Sequence, residues 1–250
     1  MIRSFYTAGS AMLVQRDRMD VLSSNLTNVE TTGYKADTLY HGSFRDMLLE
    51  RTNDPEKTQS KVVGPLNTGT HIDRVFTSFT QGSLEQTGRK LDLALDGEGF
   101  FAVNTPEGQR FTRDGSFSVN AEGYLVNSEG HYVQGENGRI QVGGDMFTVD
   151  AEGNIANAEG QNIARLRIVS FNNLNGLRKE GHNLFVNESA GAERQADAKV
   201  LQGSLEGSNV DVSAELTRLL NVSRTYQTNQ RVFMTVDSSL EKAVNEVGRV

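Results

Sequence analysis

The chain has 250 residues, 36% hydrophobic and 23% charged, with 25 glycines, three prolines, no tryptophan, no cysteine and a formal net charge of −7. That composition supports a buried core in one large domain or two or three small ones. It excludes disulfides, thiolate metal sites and thiol catalysis, and the acidic balance argues against nucleic acid, which calls for a basic patch.

The N-terminal stretch MIRSFYTAGSAMLVQRDRMD lacks the apolar run of a secretory signal, and no stretch of eighteen apolar residues predicts a transmembrane helix. The protein is therefore expected in the cytoplasm, or to leave it by a route without a cleaved signal. Phe5, Met12, Met19 and Leu26 recur every seven residues, and Ala8, Gln15, Leu22 and Val29 follow three behind. This a/d seam predicts a helix of four heptads with one polar interruption at Gln15. Asn28, Thr31, Thr32 and Gly33 supply the stop, with Gly33 a candidate left-handed cap.

From Lys35 to Thr70 the pattern is weak. Ser43 is a candidate cap for a short helix through Phe44, Met47, Leu48 and Leu49, and residues 52–70, with two of the three prolines, read as a linker or extended arm. From Leu91 the segments LDLAL, FFAV, RFT, FSV, YLV, RIQV, FTV and LRIVSF are broken by short glycine-bearing turns and predict β-strands. Residues 117–130, FSVNAEGYLVNSEG, align with residues 147–160, FTVDAEGNIANAEG. Each copy predicts a strand, a turn at Gly123 or Gly153, a short strand and a turn at Gly130 or Gly160, within one β domain.

The C-terminal segment repeats the heptad device. Leu219, Tyr226, Phe233, Leu240 and Val247 share one position, and Val222, Asn229, Val236 and Ala243 the other. Asp211 or Ser213 can cap a helix of about 38 residues, roughly 57 Å long. A narrow seam on so long a helix calls for a partner helix, and the other end of the chain offers one. Arg3, Arg16 and Arg18 balance Asp17, Asp20 and Glu30 in residues 1–30. Residues 211–250 hold five bases and five acids, so all of the −7 lies between. Neutral ends can crowd together without self-repulsion. The small polar residues on both helices suit contact with further neighbours, as in a polymer of identical subunits.

Candidate chemistry is thin. Gly97-Glu98-Gly99-Phe100-Phe101-Ala102 has the form G-x-G-x-x-A, but β-formers follow where a dinucleotide site requires a helix. His41, His71, His131 and His182 lack metal-ligand spacing, no Gly-x-Ser-x-Gly elbow is present, and Glu122, Glu129, Glu152 and Glu159 sit at turns as solvated acids. No enzyme activity, cofactor, metal or small-molecule substrate is expected.

Two terminal segments carry a family resemblance. Ser23-Ser24-Asn25-Leu26-Thr27-Asn28-Val29-Glu30-Thr31-Thr32-Gly33-Tyr34-Lys35 resembles the N-terminal signature of bacterial flagellar basal-body rod and hook proteins, with Thr27 in place of the usual alanine. Gly203-Ser204-Leu205-Glu206-Gly207-Ser208-Asn209-Val210-Asp211-Val212 resembles the stretch before that family's C-terminal helix, in which Arg224, Tyr226, Gln227 and Asn229 also fit. Residues 91–101 and 111–117 are similar to its central β domain.

The resemblance implies an α+β protein whose long terminal helices pair as a coiled coil, with an all-β central domain (barrel or sandwich) and an extended arm. The expected division is 1–34 and 206–250 for the axial helices, 35–74 for the arm and 75–205 for the β domain. The implied function is a structural subunit of the distal rod, forming a stiff tube that transmits torque and conducts exported subunits. A hook-type axial protein, or a surface β-domain binding protein on a helical stalk, are the alternatives. Implied partners are copies of itself, neighbouring rod and hook proteins, the flagellar export apparatus and the rings around the rod. Phe5, Met12, Met19, Leu22, Leu26, Leu219, Tyr226, Asn229, Phe233, Val236, Leu240 and Val247 are the expected helix–helix assembly residues. Asn25, Leu26, Asn28, Thr31, Gly33, Tyr34, Lys35, Leu205, Glu206, Ser208, Asn209 and Val210 are the family signature. The isolated subunit is expected to order its helices fully only on assembly, leaving a protease-resistant piece near residues 75–205.

Overall fold

Both heptad-patterned ends are helical. The computed structural model describes residues 2–51, 61–144, 147–157, 159–188 and 193–247, and these form two units. One comprises Met1–Leu26, Asp37–Phe76 and Val212–Val250, and the other Thr27–Ala36 and Thr77–Asp211.

The first, helical unit contains α1, Ile2–Thr27, and α2, Val212–Lys242, which runs into a π-helical turn at Ala243–Val247. Between them in sequence lies a ribbon. Strand β1, Asp37–Ser43, pairs with β4, Thr70–Thr77, and β2, Met47–Arg51, pairs antiparallel with β3, Lys61–Leu66. The short helix expected after Ser43 is not formed. Met47, Leu48 and Leu49 lie in a strand opposite Leu66, Pro65 and Gly64. A helix of barely two turns carries the full nucleation cost, whereas the Val62-Val63 run supplies a β-prone partner strand.

Ala8, Val14, Leu39 and Val222 are the buried apolar side chains of this unit among the described residues. On α2 the shielded positions are Glu215, Leu219, Val222, Tyr226, Asn229, Phe233, Val236 and Leu240, at steps of four and three, with Ala214 and Ser223 beside them. The rest of that helix is exposed.

The second unit is β. Strands β5, Leu84–Gln86, β6, Leu93–Asp96, β7, Phe100–Thr105, and β8, Gly108–Thr112, come first. Strand β7 is the hub: it pairs with β8, with Tyr132–Gly135 and with Ile168–Phe171. The sheet continues through Leu184–Asn187 and Leu177–Gly181 on one side, and through Leu125–Val126 and Ser118–Val119 on the other. A separate three-stranded sheet joins Phe147–Val149, Asn154–Asn157 and Asn162–Arg165. Lys199–Gln202 pairs with β6, and Ser204–Glu206 with β5.

Strand alternation divides the core. Phe101 and Val103 point one way, into a cluster with Leu93, Leu95, Phe117, Leu125, Val133 and Ile155. Phe100 and Ala102 point the other way, into a cluster with Phe111, Val169, Leu177 and Phe185. Because residues 100–105 are a central strand, no helix opens after Gly97-Glu98-Gly99, and the dinucleotide reading has no structural basis.

The internal repeat is finer than a duplicated hairpin. Asn120, Asn127, Asp150 and Asn157 each begin the pattern [ND]-[AS]-E-G. In every copy the side-chain oxygen of the first residue accepts the N–H groups two and four residues on. The glycine lies at φ between +79° and +84°, a region costly for any residue with a Cβ. One Asx-turn thus recurs four times and sets each strand reversal. The turn glutamates 122, 129, 152 and 159 are exposed.

Candidate functional site

The signature segments from the two ends of the sequence meet inside the β unit around one carboxylate. Lys35, Glu206 and Arg113 have side chains 0%, 1% and 4% exposed. Lys35 Nζ donates to Glu206 Oε1 at 2.6 Å and to the Thr80 carbonyl at 2.8 Å. Arg113 Nη1 donates to Glu206 Oε2 at 3.0 Å, and its Nη2 to the Gly97 carbonyl at 2.8 Å. The Gly82 amide completes Oε1 at 3.0 Å. One carboxylate thus holds two cations, a cluster of net charge +1. Burial pulls the pKa of Lys35 below its ordinary value, with Glu206 pushing back, and burial likewise lowers that of Arg113.

The backbone reinforces the node. The Gly33 amide donates to the Glu206 carbonyl at 2.7 Å. Gly33 has φ +66°, and a Cβ there would lie 2.4 Å from the backbone of Arg113 and Asp114, so both conformation and space demand glycine. Lys179 Nζ donates to the Lys35 carbonyl at 2.9 Å and lies 3.8 Å from the Tyr34 ring centroid. Asn183 Nδ2 donates to the Thr32 carbonyl, and Thr32 Oγ1 to Asp114 Oδ1. Asn209 accepts the Ala36 amide at 2.8 Å and donates to the carbonyls of Ser78 and Thr80. Residues 27–36 and 206–211 are therefore fastened to the β unit by side chains of the two signatures.

The remaining signature residues serve local geometry. Asn25, in the helical unit, is buried and exchanges two hydrogen bonds with the Asp37 backbone, at 2.8 and 2.9 Å. Thr31 Oγ1 donates to Asn28 Oδ1, Leu205 pairs with Glu85 between strands, and Ser208 Oγ accepts the Val210 amide. Leu26 is half-buried. Sequence reasoning did not single out Arg113, Thr80, Gly82 or Lys179 as members of this node, because they belong to three further segments that only folding brings together.

The assembly residues behave differently. Phe5, Met12, Met19, Leu22, Leu26, Leu219, Tyr226, Asn229, Phe233, Val236 and Leu240 are all half-buried, and the side chain of Val247 lies outside what is described. Phe5 and Phe233 meet at a ring-centroid distance of 4.0 Å. With Met12, Leu13, Phe44 and Tyr226 they line an apolar groove of about 820 Å³ in the helical unit. Several seam side chains therefore border open apolar space. Among the histidines, His71 stacks on Phe44 and His182 lies 3.2 Å from Glu129.

A buried ionic clamp in the β unit and half-covered apolar stripes on both helices are features of a structural subunit. The comparisons with known proteins give it a family. Sequence families described as flagella basal body rod protein, flagellar hook protein FlgE/F/G D1 domain, and flagellar basal body rod FlgEFG protein C-terminal match residues 5–35, 94–157 and 201–246. The chain is 30% identical over 271 residues to the flagellar hook-basal body complex protein FlhO of Bacillus subtilis (strain 168), covering 100% of both. It is 30% identical over 257 residues to the flagellar basal-body rod protein FlgF of Caulobacter vibrioides, again covering 100% of both. It is 33% identical over 268 residues to the flagellar basal-body rod protein FlgG of Bacillus subtilis, covering 98% and 99%. The chain belongs to the flagellar basal-body rod protein family.

Proposed function

We propose that the chain is a distal-rod-type structural subunit of the flagellar basal body, polymerising into a stiff helical tube that transmits torque and conducts exported subunits. The single observation that carries this is where apolar surface is left uncovered. Tyr6, Leu13, Tyr40, Phe44, Met47, Leu48, Val62, Val63, Val75, Leu220, Met234 and Val244 are exposed, and every one lies in the helical unit. Leu84 and Ile163 are the exposed large apolar residues of the β unit among the described residues. Surface of that kind marks an interface. When a heterologous contact repeats by a screw operation it builds an open filament.

In this reading α1 and α2 pair as a coiled coil along Met12, Met19, Leu22, Leu219, Tyr226 and Phe233, and their other faces contact neighbouring subunits. Close-packed helices resist bending and twisting, as torque transmission requires. The ribbon of residues 37–77 is the arm that braces neighbours, and the β unit, a barrel or sandwich, clads the outside. Partners are copies of the chain, adjacent rod and hook proteins, the rings around the rod and the export apparatus. No catalytic role is proposed.

Cryo-EM of basal bodies from cells carrying a tagged chain tests this. Tag density along the axial tube, and loss of a rod segment on deletion, are expected. Basal bodies with an intact rod and no tag would overturn it.

A further inference from the structure

The apolar groove of the helical unit has a glycine in its wall. Gly9 lies in the interior of α1 and lines the groove with Phe5, Leu13 and Phe233. Glycine inside a helix is destabilising, and one copy gives no reason for it, since a Cβ there would meet nothing within 4 Å. What a missing Cβ allows on a helix face is the close approach of another backbone. Arg3 and Arg16 stand at the same groove. Arg16 is paired with Asp17 at 2.8 Å. Arg3 has no ion-pair partner among the described residues, so the groove keeps an unmatched positive charge.

The same unit leaves one stretch of helix without a partner from α1 among the described residues. Phe5 meets Phe233, while Arg18 and Leu22 share a cavity with Glu215 and Val222, so α1 and α2 run antiparallel. In that register Ile2, where α1 starts, falls near Val236. The helix α2 and its π-helical turn continue to Val247, about 15 Å farther. On this overhang Leu240 and Ala243 are half-covered and Val244 is 70% exposed. Asp237 and Glu241 outweigh Lys242 there, and neither acid has an ion-pair partner among the described residues. An acidic, apolar helix end complements a basic, apolar groove with a glycine in its wall. A continuous helix cannot turn back into its own groove, so the end that fits comes from a second copy. Groove and overhang are different surfaces, and a contact between them is heterologous and can repeat.

We propose that Gly9 is a subunit-contact residue: the groove it widens receives the overhanging end of α2, residues 237–245, from a second copy. The inference rests on the polymerising-subunit reading above and names one of its contacts.

Gly9→Ala should move the two readouts in opposite directions. It should raise the melting temperature of the dilute chain by about 2–4 °C, because helix propensity improves and the space is free. It should cut the amount of chain recovered in basal bodies about tenfold, because the added methyl blocks close approach. The absence of cysteine makes the contact testable by cross-linking as well. Within one copy Leu13 lines the groove with Tyr226, which lies roughly 27 Å along α2 from Val244 and so beyond disulfide reach. On mild oxidation of basal bodies, the double variant Leu13→Cys with Val244→Cys should give a ladder in multiples of the subunit mass, with no cross-link from either single variant. No ladder overturns the inference, as does a dimer from either single variant, which would mean that groove meets groove or overhang meets overhang. Wild-type recovery of Gly9→Ala overturns it too. So does a melting temperature that fails to rise, which would mean that the glycine is required within one copy. Absence of the unsubstituted chain from basal bodies is visible before any variant is compared. That result overturns the rod reading and takes this inference with it.

Discussion

The two units of this chain cover their apolar side chains in opposite ways. In the β unit, Leu93, Leu95, Phe101, Val103, Leu125, Val133, Ile155 and Phe185 have no exposed surface, and the charged groups at its centre are paired at hydrogen-bond distance. In the helical unit only Ala8, Val14, Leu39 and Val222 are buried among the described apolar residues, while most others lie half-covered along a stripe or exposed, many of them on the ribbon. Buried polar atoms without a hydrogen-bond partner occur in both units among the described residues, Asp92 Oδ1, Gln109 Nε2 and Arg113 Nε in the β unit and Glu215 Oε2 in the helical unit. The β unit closes on itself. The helical unit leaves apolar surface uncovered of the kind that a polymer of copies would cover, and it carries a net +1 where the β unit carries −8. One sequence therefore encodes a unit with its apolar core covered and a unit with apolar surface left open.

The strongest way to break that contrast is to open the closed unit at its node. Glu206→Ala leaves Lys35 and Arg113 buried without their anion and should cost about 3–5 kcal/mol, measured by denaturant melts of the isolated chain. The sharper variant is the triple change Lys35→Met, Arg113→Met and Glu206→Leu. If the node sets register and not bulk stability, this apolar replacement should recover most of the loss, since swapping a whole buried ionic cluster is often neutral or better. A triple variant as weak as Glu206→Ala alone would show that the remaining hydrogen bonds, to Thr80, Gly97 and Gly82, carry the stability instead.

Paired phenylalanine truncations come next. Phe101 is fully buried and meets Phe117 at 5.2 Å between ring centroids, so Phe101→Ala should cost about 3–5 kcal/mol. Phe233 keeps one side toward the groove, and Phe233→Ala should cost only about 1 kcal/mol in the isolated chain. Equal losses from the two would mean that the helical unit is packed as a finished core. Limited proteolysis gives a related readout. After cleavage anywhere within residues 37–76, the segment Thr27–Ala36 should stay bound to residues 77–211, because Lys35, Thr32 and Gly33 are fastened there. Its release on native chromatography would contradict the node's role as a clamp.

Much of this was legible in the sequence, and the illegible part has a physical reason. Periodicity of 3.5 exposed both helices, and a repeated Asn or Asp before Glu-Gly exposed the turns, because those signals are local. The strand at Met47–Arg51 was not visible, since leucine and methionine fit either period and the deciding partner, Val62-Val63, lies beyond a turn. The node was hidden for a stronger reason. Lys35 and Arg113 are 171 and 93 residues from Glu206 in sequence, and nothing local distinguishes a lysine destined for burial from a solvated one. The resemblance marked Lys35 and Glu206 as signature residues without indicating that they touch.

A smaller effect concerns pH. Burial raises the pKa of Asp114 above 3.8, although hydrogen bonds from Thr32 and Ser116 pull it back. The folded state then holds this proton at pH values where the unfolded chain has lost it. The stability it contributes is full below the unfolded value and is lost as pH rises through the folded one. Asp114→Asn keeps the accepting oxygen and removes the charge. It should flatten this slope in pH-dependent melts and leave stability at neutral pH unchanged or slightly higher. A steeper slope would mean that the carboxylate is stabilised as an anion.

The smallest expected effect on the isolated chain bears most directly on the contrast. Leu48 and Val63 are 62% and 63% exposed on the ribbon. Replacing either with serine removes little buried surface, so the melting free energy should move by no more than about 0.5 kcal/mol. A self-sufficient protein has no reason to keep these side chains, because an exposed apolar strand edge invites association. If the ribbon completes itself against other copies, Leu48→Ser with Val63→Ser should leave the monomer's melt unchanged and still weaken recovery of the chain in basal bodies. Unchanged recovery would make the ribbon's apolar surface incidental, and the apolar groove beside Phe5 and Phe233 would then have to carry the association.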